Sequence, residues 1–274
     1  MNARTLAGRR ILIVGASSGI GQALAKKAAA EGACLAVVAR RADKLAETVQ
    51  TAGGGTPIVA DLRRHDDCAR IAAETVAAIG APELVFVSAG SSSLSWVHET
   101  GTEDWARAFE TNVIGINLLF AALRPHFAPG AIVAACSSES VGAPRAGLVP
   151  YTASKAALEE SLRGWRNEHR DLRFTRIGLG ATMPTGFADG WDPERLVEAL
   201  ERWSADGLGQ AEMMHVDDVA EVLAATFAAA LALPGVGMED IMLRSPSKPG
   251  ATAEEVAAWA ADHGGPELPG AAPA

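Results

Sequence analysis

Short apolar runs alternate with longer amphipathic stretches from the start of the chain. I-L-I-V ends at Gly15, A-C-L-A-V-V-A covers Ala33–Ala39, and P-I-V-A-D covers Pro57–Asp61. Helical patterns follow from about Gly19, Asp43 and Asp66. This alternation predicts an α/β fold with a parallel sheet covered on both faces by helices. Gly53-Gly54-Gly55 stops the second helix and Gly80-Ala81-Pro82 the third. Four further runs, E-L-V-F-V-S, A-I-V-A-A-C, R-F-T-R-I-G and D-I-M-L-R, bring the expected strands to about seven. No linker interrupts residues 8–245, so a single doubly wound, Rossmann-type domain is predicted over 1–246.

Composition narrows the function. Of the 274 residues 49% are hydrophobic, enough for a large core, and 24 Lys and Arg stand against 33 Asp and Glu. The net charge of −9 argues against a nucleic-acid partner. Cys34, Cys68 and Cys136 are odd in number and lack metal-ligand spacing, which predicts buried thiols, no metal and a reducing, cytoplasmic setting. The apolar run before Gly15 is too short for a signal peptide. Val222–Leu233, closed by Pro234, is too short to span a bilayer and reads as a buried helix, so no membrane partner is expected. Residues 247–274 form an Ala-, Gly- and Pro-rich tail in which T-A-E-E-V-A-A-W-A is one helical piece and the rest is expected to be mobile.

Two stretches carry chemistry. The first is G-A-S-S-G-I-G, Gly15–Gly21, between a strand and a helix. Its glycines Gly15, Gly19 and Gly21 let the backbone approach a pyrophosphate, and Ser17, Ser18 and Ile20 sit where the helix N-terminus offers free N–H groups. At the tip of the second strand stand Arg40 and Arg41 in place of an acid, which favours the 2′-phosphate of NADP(H) over the free ribose of NAD(H). Asp43 is the objection, though it serves equally well as a helix cap. The second stretch runs from Ser137 to Lys155 and places Tyr151, the chain's single tyrosine, four residues before Lys155. That spacing puts both on one helix face after Pro150, so an ammonium beside the phenol is expected to lower its pKa and fit it for general acid/base work. Ser137 and Ser138 end an earlier strand, at the edge where open parallel sheets bind ligands.

Taken together and in order, these motifs resemble the short-chain dehydrogenase/reductase family, in the branch with chains of this length, over residues 8–245. The resemblance implies that Ser138 holds the substrate oxygen, Tyr151 exchanges the proton, Lys155 tunes the phenol and binds the nicotinamide ribose, and Asn112 holds a water in a proton relay. It implies that Asp61 and Leu62 hold the adenine ring. Ser88-Ala89-Gly90 occupies the family's Asn-Ala-Gly place, with serine for asparagine. Leu179 replaces the proline of a Pro-Gly turn, and of Thr182 and Thr185 the first is favoured for the nicotinamide carboxamide. Asn112 also reads as a satisfied core group, and Asp61 as a turn cap. Residues 183–214 correspond to a substrate lid whose helix Asp192 and Pro193 would cap. The lid's apolar residues, with Leu94 and Trp96, suggest a largely apolar pocket or else pack on the protein's own core.

The expected activity is therefore an NADP(H)-dependent oxidoreductase interconverting a small carbonyl and a secondary alcohol. The alternative is a non-catalytic NADP(H)-binding sensor or scaffold, which the retained tyrosine and lysine disfavour. The resemblance also implies a homodimer or homotetramer packed through the helices around Asn112 and Tyr151.

Overall fold

The computed structural model describes residues 4–247 and 250–263. Its centre is a sheet of seven strands: β1 (Arg10–Val14), β2 (Cys34–Ala39), β3 (Thr56–Val59), β4 (Leu84–Val87), β5 (Ile132–Cys136), β6 (Arg173–Leu179) and, last in the chain, β9 (Asp240–Leu243). Every pairing is parallel and the order is β3-β2-β1-β4-β5-β6-β9. The order reverses beside β1, so a crevice opens beyond the ends of β1 and β4, where α/β sheets take ligands.

Period-two alternation splits β1 between two cores. Ile11 and Ile13 face α1 (Gly19–Ala30) and α8 (Val216–Leu231), packing with Leu24, Phe86 and Phe227. Leu12 and Val14 face α3 (His65–Ile79), α5 (Gly115–Leu123) and α6 (Val149–Glu168), packing with Ile71, Leu119 and Leu158. All of these are buried, each contributing about 1.5–3 kcal/mol. The segment Val222–Leu233 runs along α8 and two residues past it with one face buried through Leu223, Phe227 and Leu231, while Val222 and Leu233 are exposed, and no helix among the described residues is long and apolar enough to cross a membrane.

Several local expectations need correction. The helix α2 (Ala42–Ala52) has Arg41 at its cap, with Asp43 in the first turn. The helix α4 (Thr102–Phe109) is preceded by Gly101 at the cap, and Thr102 is already helical. Between α4 and α5 the chain widens into a π-helical turn, Glu110–Ile114, which carries Asn112. Cys34 is exposed because it is the first residue of its strand, whereas Cys68 and Cys136 are buried.

The segment 183–214 leaves and returns through two short strands, β7 (Thr182–Met183) and β8 (Met214–His215), paired parallel to each other. Strands of two residues have no legible period. Within the segment lies α7 (Pro193–Ala205), where the Asp192 carboxylate accepts from Glu194 and Arg195 N–H at 2.9 and 3.1 Å, the cap expected. The helix α9 (Ala253–Asp262) packs against it through Val256, beside Leu196 and Leu200.

Candidate active site

A cleft of about 670 Å³ runs from the glycine-rich turn to the lid segment. Glycine is dictated by contact at two points of the turn. Gly15 has φ +94° and lies against Ala89, and a Cβ at Gly21 would sit 2.4 Å from both the Gly15 carbonyl oxygen and the Ser88 hydroxyl. Ser88 Oγ donates to the β1 end at Val14 O (3.2 Å) or Gly15 O (3.3 Å), so the serine still bonds to the neighbouring strand. Ala89 and Gly90 line the cleft behind it.

The Arg41 guanidinium turns inward, donating to Ser17 Oγ at 3.2 Å and Ser18 Oγ at 2.9 Å, with the Asp189 carboxylate 3.7 Å away. Arg40 is exposed at the rim. Asp61 also lines the cleft, but its carboxylate is gripped by Arg63, with contacts down to 2.6 Å, and accepts the Arg63 N–H as a turn cap. The Arg63 guanidinium, against the opposing effect of burial, holds that carboxyl below its usual range. Leu62 is buried beside it. Thr182 Oγ1 donates to Gly180 O at 2.9 Å, while Thr185 rests against Gly19; both line the cleft.

Ser138, Tyr151 and Lys155 come to one wall of this cleft, from the end of β5 and the first turns of α6. Ser138 Oγ accepts from Ser140 N–H (3.1 Å) and Ser140 Oγ (3.0 Å), which leaves its own proton for an oxygen in the cleft. The expected lowering of the phenol pKa does not occur. Lys155 Nζ donates to the Cys136 carbonyl at 2.7 Å and lies 5.8 Å from the Tyr151 ring centre. Both residues are sealed, at 8% and 3% exposure. Burial therefore pushes the phenol up to about 12, although the Ser138 hydroxyl and the Arg145 charge pull the other way. Burial also brings the ammonium down to about 8.

Asn112 is fully buried, and its carboxamide is spent within the protein. Oδ1 accepts the Ser91 N–H at 2.8 Å, and Nδ2 donates to Ser91 O at 2.9 Å and to Ser154 Oγ at 2.8 Å. Ser154 Oγ in turn donates to the Tyr151 carbonyl at 2.7 Å. The side chain thus ties the π-helical turn to the first turn of α6, and the satisfied-core account holds for it.

The lid's apolar residues reach the cleft as expected: Phe187 meets the Tyr151 ring edge-on at 5.0 Å, and Trp191 meets Phe187 the same way. Two charged cleft residues went unread in the sequence. Glu139 is buried between Arg145 (2.5 Å) and Arg244 (3.2 Å). A charge at each of S-S-E-S and A-P-R-A, both otherwise small or apolar, was the available signal. Leu94 and Trp96 do not line the cleft: Leu94 packs under the lid segment with Leu148 and Leu196, and the Arg202 guanidinium lies 4.0 Å over the Trp96 ring. Of the two readings offered for them, core packing is the one observed.

The sequence profile of the family described as short chain dehydrogenase matches residues 9–195. An 11-beta-hydroxysteroid dehydrogenase 1A of Arabidopsis thaliana is 39% identical over 164 residues, covering 56% of this chain and 46% of the plant protein, so the match spans about half of that relative's length. A short chain dehydrogenase of Burkholderia cenocepacia J2315 in complex with NADP superposes with a TM-score of 0.74 at 23% identity, covering 91% of this chain and 99% of its own. A short chain dehydrogenase/reductase of Burkholderia phymatum in complex with NAD does so with a TM-score of 0.73 at 23% identity, covering 87% and 89%. At that identity these two speak for the fold.

Proposed function

The chain belongs to the short-chain dehydrogenase/reductase family of oxidoreductases, and on that premise we propose that it interconverts a carbonyl and a secondary alcohol with NADP(H). The observation that carries this reading is the meeting of Ser138, Tyr151 and Lys155 on one wall of a cleft whose other end is the glycine-rich turn. A nicotinamide dinucleotide bound there supplies or accepts the hydride. The turn suits its pyrophosphate, since Gly21 leaves no room for a side chain. Arg41, held at the Ser17 and Ser18 hydroxyls, and Arg40 at the rim suit a 2′-phosphate. One structural neighbour holds NADP and another NAD, so support for NADP(H) rests on these arginines.

In this reading Ser138 donates to the substrate oxygen and Tyr151 hands that oxygen a proton as the carbonyl becomes an alcohol. A phenol pushed up to about 12 is protonated near neutrality, the form reduction needs. Lys155 anchors the wall through Cys136 O and would hold the nicotinamide ribose of a bound dinucleotide. Phe187, Trp191, Leu196 and Leu200 give the lid segment an apolar face over the phenol, which suits a small, largely apolar substrate. Exposed Ile114, beside Asn112, suits contact with a second copy in a cytoplasmic homodimer or homotetramer. The test is NADPH oxidation against a panel of ketones and aldehydes, with Tyr151→Phe as control. Turnover lost in the variant while NADPH still binds supports the enzyme. Binding without turnover across the panel favours the sensor.

A further inference from the structure

A guanidinium beside the serine and tyrosine of the cleft, in the same cleft as the apolar residues of the lid segment, needs an explanation. Arg145 lies in the loop just before α6 and is mostly buried, at 13% side-chain exposure, yet it lines the cleft together with Tyr151 and Ser138. One of its N–H groups donates to Glu139 Oε1 at 2.5 Å. Among the described residues no other acceptor meets its guanidinium side chain, so of the five N–H donors most remain unused. Glu139 does not neutralise it alone, because Arg244 shares the same carboxylate through Oε2 at 3.2 Å. Two guanidinium groups against one carboxylate leave a net positive charge on this side of the phenol. The Glu139 N–H donates to Leu179 O at 2.9 Å, which fixes the position of the carboxylate that orients Arg145.

A partly desolvated guanidinium with free donors in a cavity wall is a bidentate carboxylate receptor. In the same cleft the lid segment presents Phe187, Trp191, Leu196 and Leu200, which can accept an aliphatic body. We infer that the site takes an oxo acid, or the matching hydroxy acid: an apolar-tailed molecule whose carboxylate docks on Arg145 while its carbonyl lies between Ser138 and Tyr151. Arg145 is then the residue that decides substrate class, and Glu139 positions it. This deepens the carbonyl–alcohol reading and rests on it for the chemistry, though not for the binding.

The test separates the two. Binding of hexanoate and of hexanamide, isosteric and unreactive, is measured by calorimetry on the full chain with NADPH present. Hexanoate is expected to bind about tenfold or more tighter than hexanamide, the range of a charge-assisted hydrogen bond. Arg145→Met should erase that preference by weakening hexanoate far more than hexanamide; Arg145→Lys should restore part of it. Folding should survive, because Glu139 keeps Arg244 as partner. Equal binding of the two ligands by the unaltered protein, no binding of either, or a preference that persists in Arg145→Met overturns the inference. Absence of turnover across the ketone and aldehyde panel would instead sink the oxidoreductase reading and leave the hexanoate preference intact.

Discussion

Lys155 and Cys136 are joined by a buried hydrogen bond, the ammonium donating to the carbonyl across 2.7 Å. This bond, and not a contact with the phenol, is where the lysine charge is spent. The pair Tyr151 and Lys155 shares a helix face, yet burial dominates the titration of both.

A pH dependence of stability follows. The Lys155 pKa falls from 10.5 to about 8 on folding, so between those values the unfolded chain holds the proton that the folded one releases. Stability from this group is present above the unfolded pKa and lost as pH falls through about 8. The difference in Tm between the unaltered protein and Lys155→Met should therefore rise in favour of the former from pH 7.5 to pH 10, by more than about 2 °C. A flat difference across that window, read by scanning calorimetry, contradicts the burial account.

Arg40→Ala combined with Arg41→Ala should weaken NADPH about tenfold or more relative to NADH, through the loss of charge-assisted bonds to a phosphate. Fluorescence titration with both dinucleotides reads this. Equal weakening of the two would show that the arginines hold the turn in shape and do not choose the cofactor.

Asn112→Ala removes three hydrogen bonds and leaves the half-buried Ser91 N–H and C=O without their side-chain partner. A loss of ~3 kcal/mol in urea unfolding is expected. An unchanged midpoint would mean that the π-helical turn does not depend on this side chain.

Gly21→Ala should abolish dinucleotide binding and lower Tm, since the new methyl meets the Gly15 carbonyl oxygen at 2.4 Å. Adding Ser88→Ala should not rescue it, because only one of the two obstacles is a side chain. Recovery of NADPH binding in the double variant would place the conflict at Ser88 alone.

Much of this was legible along the chain because it is local. Seven apolar runs gave seven strands; the five inner ones are largely buried on both faces, whereas the edge strands β3 and β9 are largely exposed. Glycine spacing from Gly15 to Gly21 and the four-residue step from Tyr151 to Lys155 are properties of single elements. The Asp192-Pro193 cap was equally readable, since its partners lie within three residues. What failed were matters of surroundings. Asp43 proved to lie in a first turn that Arg41 caps, the pairing of Thr182-Met183 with Met214-His215 has no period to detect, and Leu94 and Trp96 turned out to pack under the lid segment.

By itself, the order of residues determined the strands, the helices, the phosphate-type turn and which side chains share a helix face, because backbone periodicity and steric demand act over a few positions. Only the folded chain decided how wet each charge is and which distant partner it meets. The direction of the Tyr151 shift, the bond from Lys155 to Cys136, and the grip of Arg145 and Arg244 on Glu139 depend on atoms brought together from separate strands and loops. Desolvation and Coulomb attraction act through space, and the space is made by tertiary packing.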